Sequence, residues 1–318
     1  MAYNSIEHMP FKSGFVAIVG RPNAGKSTLV NTLVGRKVSI VSPKPQTTRN
    51  RIQGILNREG AQIVLVDTPG IHQPRNVLSR QMMDELQHAC EGIDALSLIV
   101  DASAGYGPGD RFSIDWVRRF HGPVFLLLNK IDRVRKQLLL PLIDQYQRAF
   151  DFAEIFPIAA LTGEGCLDLV NGWLARLPEA PPSFPPDQFT DQPERFLAAE
   201  VIREKAILAT RGEVPHAIAV MVENFEEKKD LIRIRATLYT ERDGQKGILI
   251  GKGGETMKKI GTQARKELEN ILGARIFLEL YVKVRPDWRQ SASLVRQLDW
   301  RRQLEQLSEY QEAERADS

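Results

Sequence analysis

The segment Gly20 to Ser27 reads GRPNAGKS, with Gly20, Gly25, Lys26 and Ser27 in G-x-x-x-x-G-K-[ST] order. An apolar β-branched run, FVAIVG, leads into it and a helix-like run, TLVNTLVGR, leads out. Few features restrict a fold more. A strand must end and a helix begin within a few residues, and the chain between them bends where only glycine is comfortable. The bend turns backbone N–H groups inward beside the positive end of a helix, an arrangement suited to phosphate oxygens. In such a cradle Lys26 neutralises β- and γ-phosphates and Ser27 offers a hydroxyl to Mg2+. Arg21, Pro22, Asn23, Ala24 and Thr28 complete the loop and first turn as nucleotide-binding candidates. An ordinary strand-to-helix turn is the plainer reading, and the segments that follow argue against it.

Further apolar runs, QIVLVDTPG, LSLIVDAS, PVFLLLNK and IFPIAAL, alternate with helix-length stretches. Near-continuous apolar strands separated by helices predict an α/β domain with a mostly parallel sheet covered on both faces. Ligands of such sheets bind beyond the carboxyl ends of the strands. There lie Asp67, placed to hold Mg2+ through water, and Gly70, whose N–H can face a γ-phosphate, with Thr68 and Pro69 between them. Another strand ends in Asn129, Lys130 and Asp132. Guanine presents two adjacent donors that suit the Asp132 carboxylate, whereas adenine would leave it unpaired. The nucleotide is therefore expected to be GTP or GDP.

GRPNAGKS, DTPG and NKID resemble three nucleotide-binding boxes of translation-factor-class P-loop GTPases. The resemblance implies a threonine that closes over Mg2+ and γ-phosphate. PQTTRNR offers Thr47 and Thr48, with Thr48 favoured, so Lys26, Thr48 and Gly70 are the catalytic candidates, and Ser27, Thr48 and Asp67 the metal ligands. It also implies a backbone meeting guanine O6 at Ala159-Ala160, where the usual serine is replaced by alanine but the Ala160 N–H is kept. Ile71 stands where Ras-like enzymes carry a water-orienting glutamine, so intrinsic hydrolysis is expected to be slow. Relatives with an apolar residue there sometimes recruit K+ through an asparagine matching Asn23.

Six prolines between Leu177 and Phe196 predict a semi-extended connector, because each fixes φ and removes a donor. The division expected is residues 1–178 for the nucleotide domain, 179–193 for the linker, 194–290 for a second domain and 291–318 for a helical or frayed extension. The second domain reads as a helix near Glu194 to Ala209, strands AIAVMVEN and LIRIRATLYT, and a second glycine loop. A helix near Glu255 to Leu272 and an alternating strand, RIFLELYVKV, complete it. The loop, Gly251, Lys252, Gly253 and Gly254, lacks the spacing and hydroxyl residue for a nucleoside triphosphate with Mg2+. The order resembles an α+β type II KH domain, whose G-x-x-G loop clamps about four backbone nucleotides. Ile248 and Ile250 are groove candidates, and Lys246, Lys258 and Lys259 candidate phosphate contacts; a solvated helix face is the alternative for the lysines.

The formal net charge of +3 implies no nucleic-acid partner by itself. Its distribution does more: Gly244 to Arg302 carries thirteen Lys and Arg against six Asp and Glu. Cys90 and Cys166 lack metal-ligand spacing and read as reduced core residues. No apolar run approaches the roughly 18 residues of a spanning helix, and the N-terminus lacks the apolar core of a signal peptide.

Together, GTPase boxes followed by a KH pattern, with KPQTTRNRIQGIL and VDTPGIH, resemble the Era family of bacterial ribosome-assembly GTPases from about Lys12 to Trp288. The resemblance implies a monomeric cytoplasmic switch in small-subunit assembly that binds single-stranded RNA near the 3′ end of 16S rRNA, with peripheral membrane association. Two rivals stand beside it. In one, the chain is a constitutive RNA-binding scaffold in which nucleotide is only structural. The other is a membrane-acting, dynamin-like GTPase, but no long stalk or lipid anchor is evident.

Overall fold

The computed structural model describes residues 11–299. The frayed tail expected at the C-terminus lies outside them. Two compact units result: within the described residues, 11–39, 51–72 and 85–191 form one, and 40–50, 73–84 and 192–299 the other.

In the first unit, β1 (Lys12–Val19) leads through the glycine loop into α1 (Lys26–Val34). Then follow β2 (Ile52–Arg58), β3 (Ala61–Asp67) and α2 (Val77–His88), whose last turn belongs to this unit. β4 (Ala95–Asp101), α3 (Pro108–Val117), β5 (Val124–Asn129), α4 (Leu139–Ala149), β6 (Glu154–Pro157) and α5 (Cys166–Arg176) complete it. The sheet order is β2-β3-β1-β4-β5-β6, parallel throughout except for β2. Every residue of β3 and β5 is buried, as near-continuous apolar strands require. Trp173 of α5 packs fully buried, its indole N–H donating to Ser97 Oγ at 2.9 Å.

β2, which the apolar runs did not announce, is an antiparallel edge strand. The proline-rich connector covers that edge instead of hanging free. Ile55 N–H donates to Phe189 O at 2.9 Å, Thr190 Oγ1 donates to Gln53 O at 2.8 Å, and Asn57 Nδ2 donates to Pro186 O at 2.9 Å. A chain poor in backbone donors still satisfies an exposed edge by offering carbonyls.

The second unit contains α6 (Glu194–Ala209), α7 (Val214–Ala217), β7 (Ala219–Lys228), β8 (Leu231–Thr240), α8 (Asp243–Ile250), α9 (Glu255–Leu272), β9 (Arg275–Val284) and α10 (Ala292–Gln297). β7 pairs antiparallel and β9 parallel to β8. β7 runs four residues beyond the apolar stretch that announced it, past an irregularity between Val222 and Asn224. Ile260, Ala264 and Leu268 recur every four residues on α9 and close a core with Leu197, Val201, Ile234, Leu238 and Ile276. This is the element order expected of a type II KH domain.

Candidate nucleotide site and nucleic-acid groove

The first glycine loop is shaped by what surrounds it. Gly25, at φ 106°, is the N-cap of α1, and Gly35, at φ 73°, closes that helix. A Cβ on Gly20 would lie 2.2 Å from Ile99 O, and one on Gly70 would lie 2.7 Å from Pro22 N. The loop is therefore a fitted cradle with no room for side chains at its glycines. Lys26 Nζ donates to Gly20 O at 3.2 Å and Arg21 O at 3.1 Å. Burial lowers its pKa to about 8, with Asp67 opposing. An ammonium held on two carbonyls in a buried site is short of negative charge, which phosphate would supply.

Ser27 Oγ donates to Asp67 Oδ2 at 2.7 Å. Burial raises the Asp67 pKa, opposed by Lys26, Ser27 and Ser39. Both are oxygen donors of the kind Mg2+ accepts, and a divalent cation would reverse the cost of burying that carboxylate. The residues present thus fit the metal. Thr68 is buried and donates its hydroxyl to Ile18 O at 2.8 Å, an anchoring task. Ile71 N–H donates to Gly20 O at 2.9 Å while its side chain is 3% exposed, so it packs inward and offers water nothing.

Asn129 acts as a bracket. Its Nδ2 donates to Ala24 O at 2.8 Å, and its Oδ1 accepts from Ala160 N at 2.9 Å. The Ala160 N–H expected to meet guanine O6 is thus given to Asn129. Lys130, at φ 65°, donates to Asn23 O at 2.8 Å and to Asp101 at 2.5 Å. Burial would raise the Asp101 pKa, but Lys130 and Ser103 hold it below its ordinary value. The Asp132 side chain is 33% exposed, 3.8 Å from Arg133 Nε, and open to a ligand. Ala159, fully buried, accepts from Gly163 N at 2.9 Å. Thr48 belongs to the second compact unit, where it is buried. Thr47 uses its hydroxyl locally, donating to Lys44 O at 2.7 Å, which counts against Thr47 as a metal ligand.

Sequence reasoning missed Asp101, Asp110 and Thr32. Asp110, buried at the start of α3, accepts from Arg21 Nη1 at 3.1 Å, and Thr32 Oγ1 donates to Ala160 O at 2.7 Å. Asp101 could have been found, since it closes a strand at its carboxyl end as Asp67 and Asn129 do. The other two are long-range pairings with no local signal.

The second glycine loop links α8 to α9. Gly251, Gly253 and Gly254 have φ of 74°, 59° and 82°. A Cβ on Gly251 would strike Thr256 Oγ1 at 2.2 Å, whereas Gly253 and Gly254 face nothing within 4 Å. Between α9 and the free edge of β9 lies a groove of ≈ 610 Å³, bordered by Ile250, Gly254, Met257, Lys258, Arg265 and Leu280, among others. Ile250, Gly254 and Lys258 were expected there. Ile248 is 50% exposed and does not border the groove, nor do Lys246 or Lys259. Lys252 and Lys259 are exposed and Lys246 is half-buried. Met257, Thr262, Arg265, Phe277 and Tyr281 border it unannounced. Arg265 and Met257 lie on the α9 turns facing β9, a placement that follows from the buried stripe at Ile260, Ala264 and Leu268.

A family model described as 50S ribosome-binding GTPase matches residues 15–130, and one described as KH domain matches residues 213–289. Era, crystallised with MgGDPNP and nucleotides 1506–1542 of 16S ribosomal RNA, is 43% identical, with a TM-score of 0.89 over 91% of this chain and 99% of that one. This chain belongs to the Era family. An Aquifex aeolicus Era variant bound to GDP·AlF4− is 42% identical, with a TM-score of 0.88 over the same shares. Both Era matches run through the GTPase and KH units alike, so the chain is a P-loop GTPase with a KH domain.

Proposed function

We propose that the chain is a GTP-hydrolysing switch whose KH groove binds single-stranded RNA at the 3′ region of 16S rRNA, acting in assembly of the small ribosomal subunit. One observation carries the reading: an Era protein matched nearly end to end was crystallised with MgGDPNP and with nucleotides 1506–1542 of 16S ribosomal RNA together. The small-subunit assignment rests on that RNA, and not on the GTPase family description, which names the 50S particle.

Ser27 and Asp67, with Thr48, would hold Mg2+, which when bound neutralises charge developing on the phosphates. Lys26 places a positive charge against the β- and γ-phosphates, and the Gly70 N–H orients toward the transferred group. Asp132 selects guanine, and Lys130 ties the base-side loop to Asn23. Ile71 cannot hold the attacking water, so the unaided rate is expected to fall below the roughly 10⁻⁴ to 10⁻³ per second of Ras, which has the glutamine. Exchange of K+ for Na+ tests whether Asn23 recruits a monovalent cation that raises it.

A switch requires RNA to bind the GTP and GDP states with different affinity, since equal affinity shifts nothing. Titration of RNA 1506–1542 into the protein with GDPNP and with GDP tests this directly, and equal dissociation constants would refute the switch. A constitutive scaffold predicts that Lys26→Ala leaves subunit assembly intact; the switch predicts that assembly fails. The location inferred is the cytoplasm, supported by the rRNA partner. Peripheral membrane association, implied by the family resemblance, is tested by flotation with anionic vesicles. Among the described residues no helix is long and apolar enough to cross a membrane.

A further inference from the structure

Residues 40–50, which include Thr48, lie in the compact unit that carries the RNA groove. Three polar anchors hold them there. Val41 N–H donates to Glu204 Oε1 at 2.9 Å. Arg203, 2% exposed, donates to the Thr47 carbonyl, and Glu200 fixes its guanidinium through contacts of 2.7 and 2.6 Å. Arg49 donates to Ile218 O at 2.8 Å and His216 O at 3.3 Å and lies 5.4 Å from the Trp288 ring centre. Burial, then repulsion from Arg203, pulls the Arg49 pKa down, yet a guanidinium stays charged at neutral pH. Thr48 is therefore bracketed on both sides by buried arginine contacts.

Glu200, Arg203 and Glu204 all sit on α6, and the next residue leads to the RNA side. Lys205 Nζ bonds Glu204 Oε2 at 2.7 Å and also pairs with Glu267 of α9. α9 is the helix that the GKGG loop opens, and its face borders the groove. One helix thus grips the backbone at residues 41 and 47 with one set of side chains and α9 with the adjoining one. The charges involved are largely withdrawn from water: Glu204 is 3% exposed and the Lys205 side chain 13%. Partly broken pairs of buried charge are costly, so such a cluster favours discrete arrangements over gradual drift.

We propose that Lys205 is a positioning residue that ties the placement of residues 41–49 to that of α9, so that the nucleotide state met at Thr48 sets how firmly the GKGG groove holds RNA. The inference rests on the switch reading and names its transmitting residue. Linkage requires the effect to be mutual, with RNA changing nucleotide affinity by the same factor.

The test uses the full chain and RNA 1506–1542, measuring the ratio of RNA dissociation constants with GDP and with GDPNP. Wild type is expected to give a ratio at least fivefold from one. Lys205→Met and Glu267→Gln should each bring it at least threefold closer to one, with nucleotide affinity in the absence of RNA unchanged within twofold. Lys205→Arg, which keeps the charge, should retain the wild-type ratio. A Lys205→Met variant that loses thermal stability and weakens both RNA affinities equally, leaving the ratio intact, overturns the proposal in favour of a simple helix staple. If Lys205→Met fails to fold, Glu267→Gln, whose side chain is 24% exposed, decides the same question through the same ratio. A wild-type ratio of one overturns the switch reading and this inference together, whereas a wild-type ratio far from one that neither variant moves overturns the inference alone.

Discussion

At Gly25 a Cβ would sit 2.1 Å from Asn129 Nδ2, whereas at Gly253 it would meet nothing within 4 Å. Both residues have positive φ, 106° and 59°, and both belong to loops that open a helix. The phosphate cradle is shaped from outside, by Ile99 against Gly20 and Asn129 against Gly25, so neighbouring strands set its form. The GKGG loop is packed at Gly251 but open at Gly253 and Gly254, which keep a path clear. Preorganisation suits a small, highly charged group that must be held for chemistry. An open approach suits a polymer backbone that enters sideways and leaves again.

The comparison breaks most sharply at Gly20. Gly20→Ala places a methyl 2.2 Å from the Ile99 carbonyl oxygen, a backbone atom that cannot swing away, at a φ of 152°. Overpacking of this kind costs about 1 to 3 kcal/mol. The expected result is a lower melting temperature and loss of guanine nucleotide affinity by about a hundredfold or more, read by calorimetry. RNA affinity without nucleotide should survive. Next in size is Gly253→Asp. Aspartate tolerates the left-handed region, and there is space for it, so the fold and GTP affinity should be retained. Its carboxylate would repel phosphodiester oxygens, and RNA affinity should fall by roughly ten- to a hundredfold, with a shallower salt dependence. If Gly253→Asp unfolds the protein, the two loops are not different in kind.

How far these loops were legible in the sequence follows from the same contrast. GRPNAGKS, DTPG and NKID announce themselves because each is a local string at the end of a strand, and the structure brings Lys26, Ser27 and Asp67 together as those strings require. The groove was half legible. Ile250, Gly254 and Lys258 border it, while Gly251, Lys252, Gly253 and Ile248 do not, and the run GILI reads as apolar without revealing that Leu249 faces the core. Arg49, Glu200 and Arg203 were invisible. Isolated charged side chains read as solvated, and partners more than a hundred positions away, Thr47 for Arg203 and Ile218 for Arg49, accompany the burial of the two arginines. β2 was lost for a related reason: RIQGILNR has neither clean alternation nor an unbroken apolar run, and Gly54 serves there to admit Val30 of α1.

The smallest effect tests the preorganised half alone. Burial lowers the Lys26 pKa to about 8 in the nucleotide-free protein, below the 10.5 of a solvated lysine. The unfolded chain therefore binds more protons between about pH 8 and 10.5, and Lys26 makes the free protein more stable as pH rises through that window. Nucleotide binding has the opposite sign. Bound phosphate favours the ammonium, so affinity should be flat below pH 8 and weaken by about tenfold between pH 7 and 9. GDP titrations across that range measure it, and Lys26→Arg, whose guanidinium stays charged, serves as the control. If Lys26→Arg binds GDP at all, its affinity should be level over the same range. An equal slope in both proteins would show that the cradle does not desolvate its lysine, and the contrast with the open GKGG loop would lose its electrostatic half.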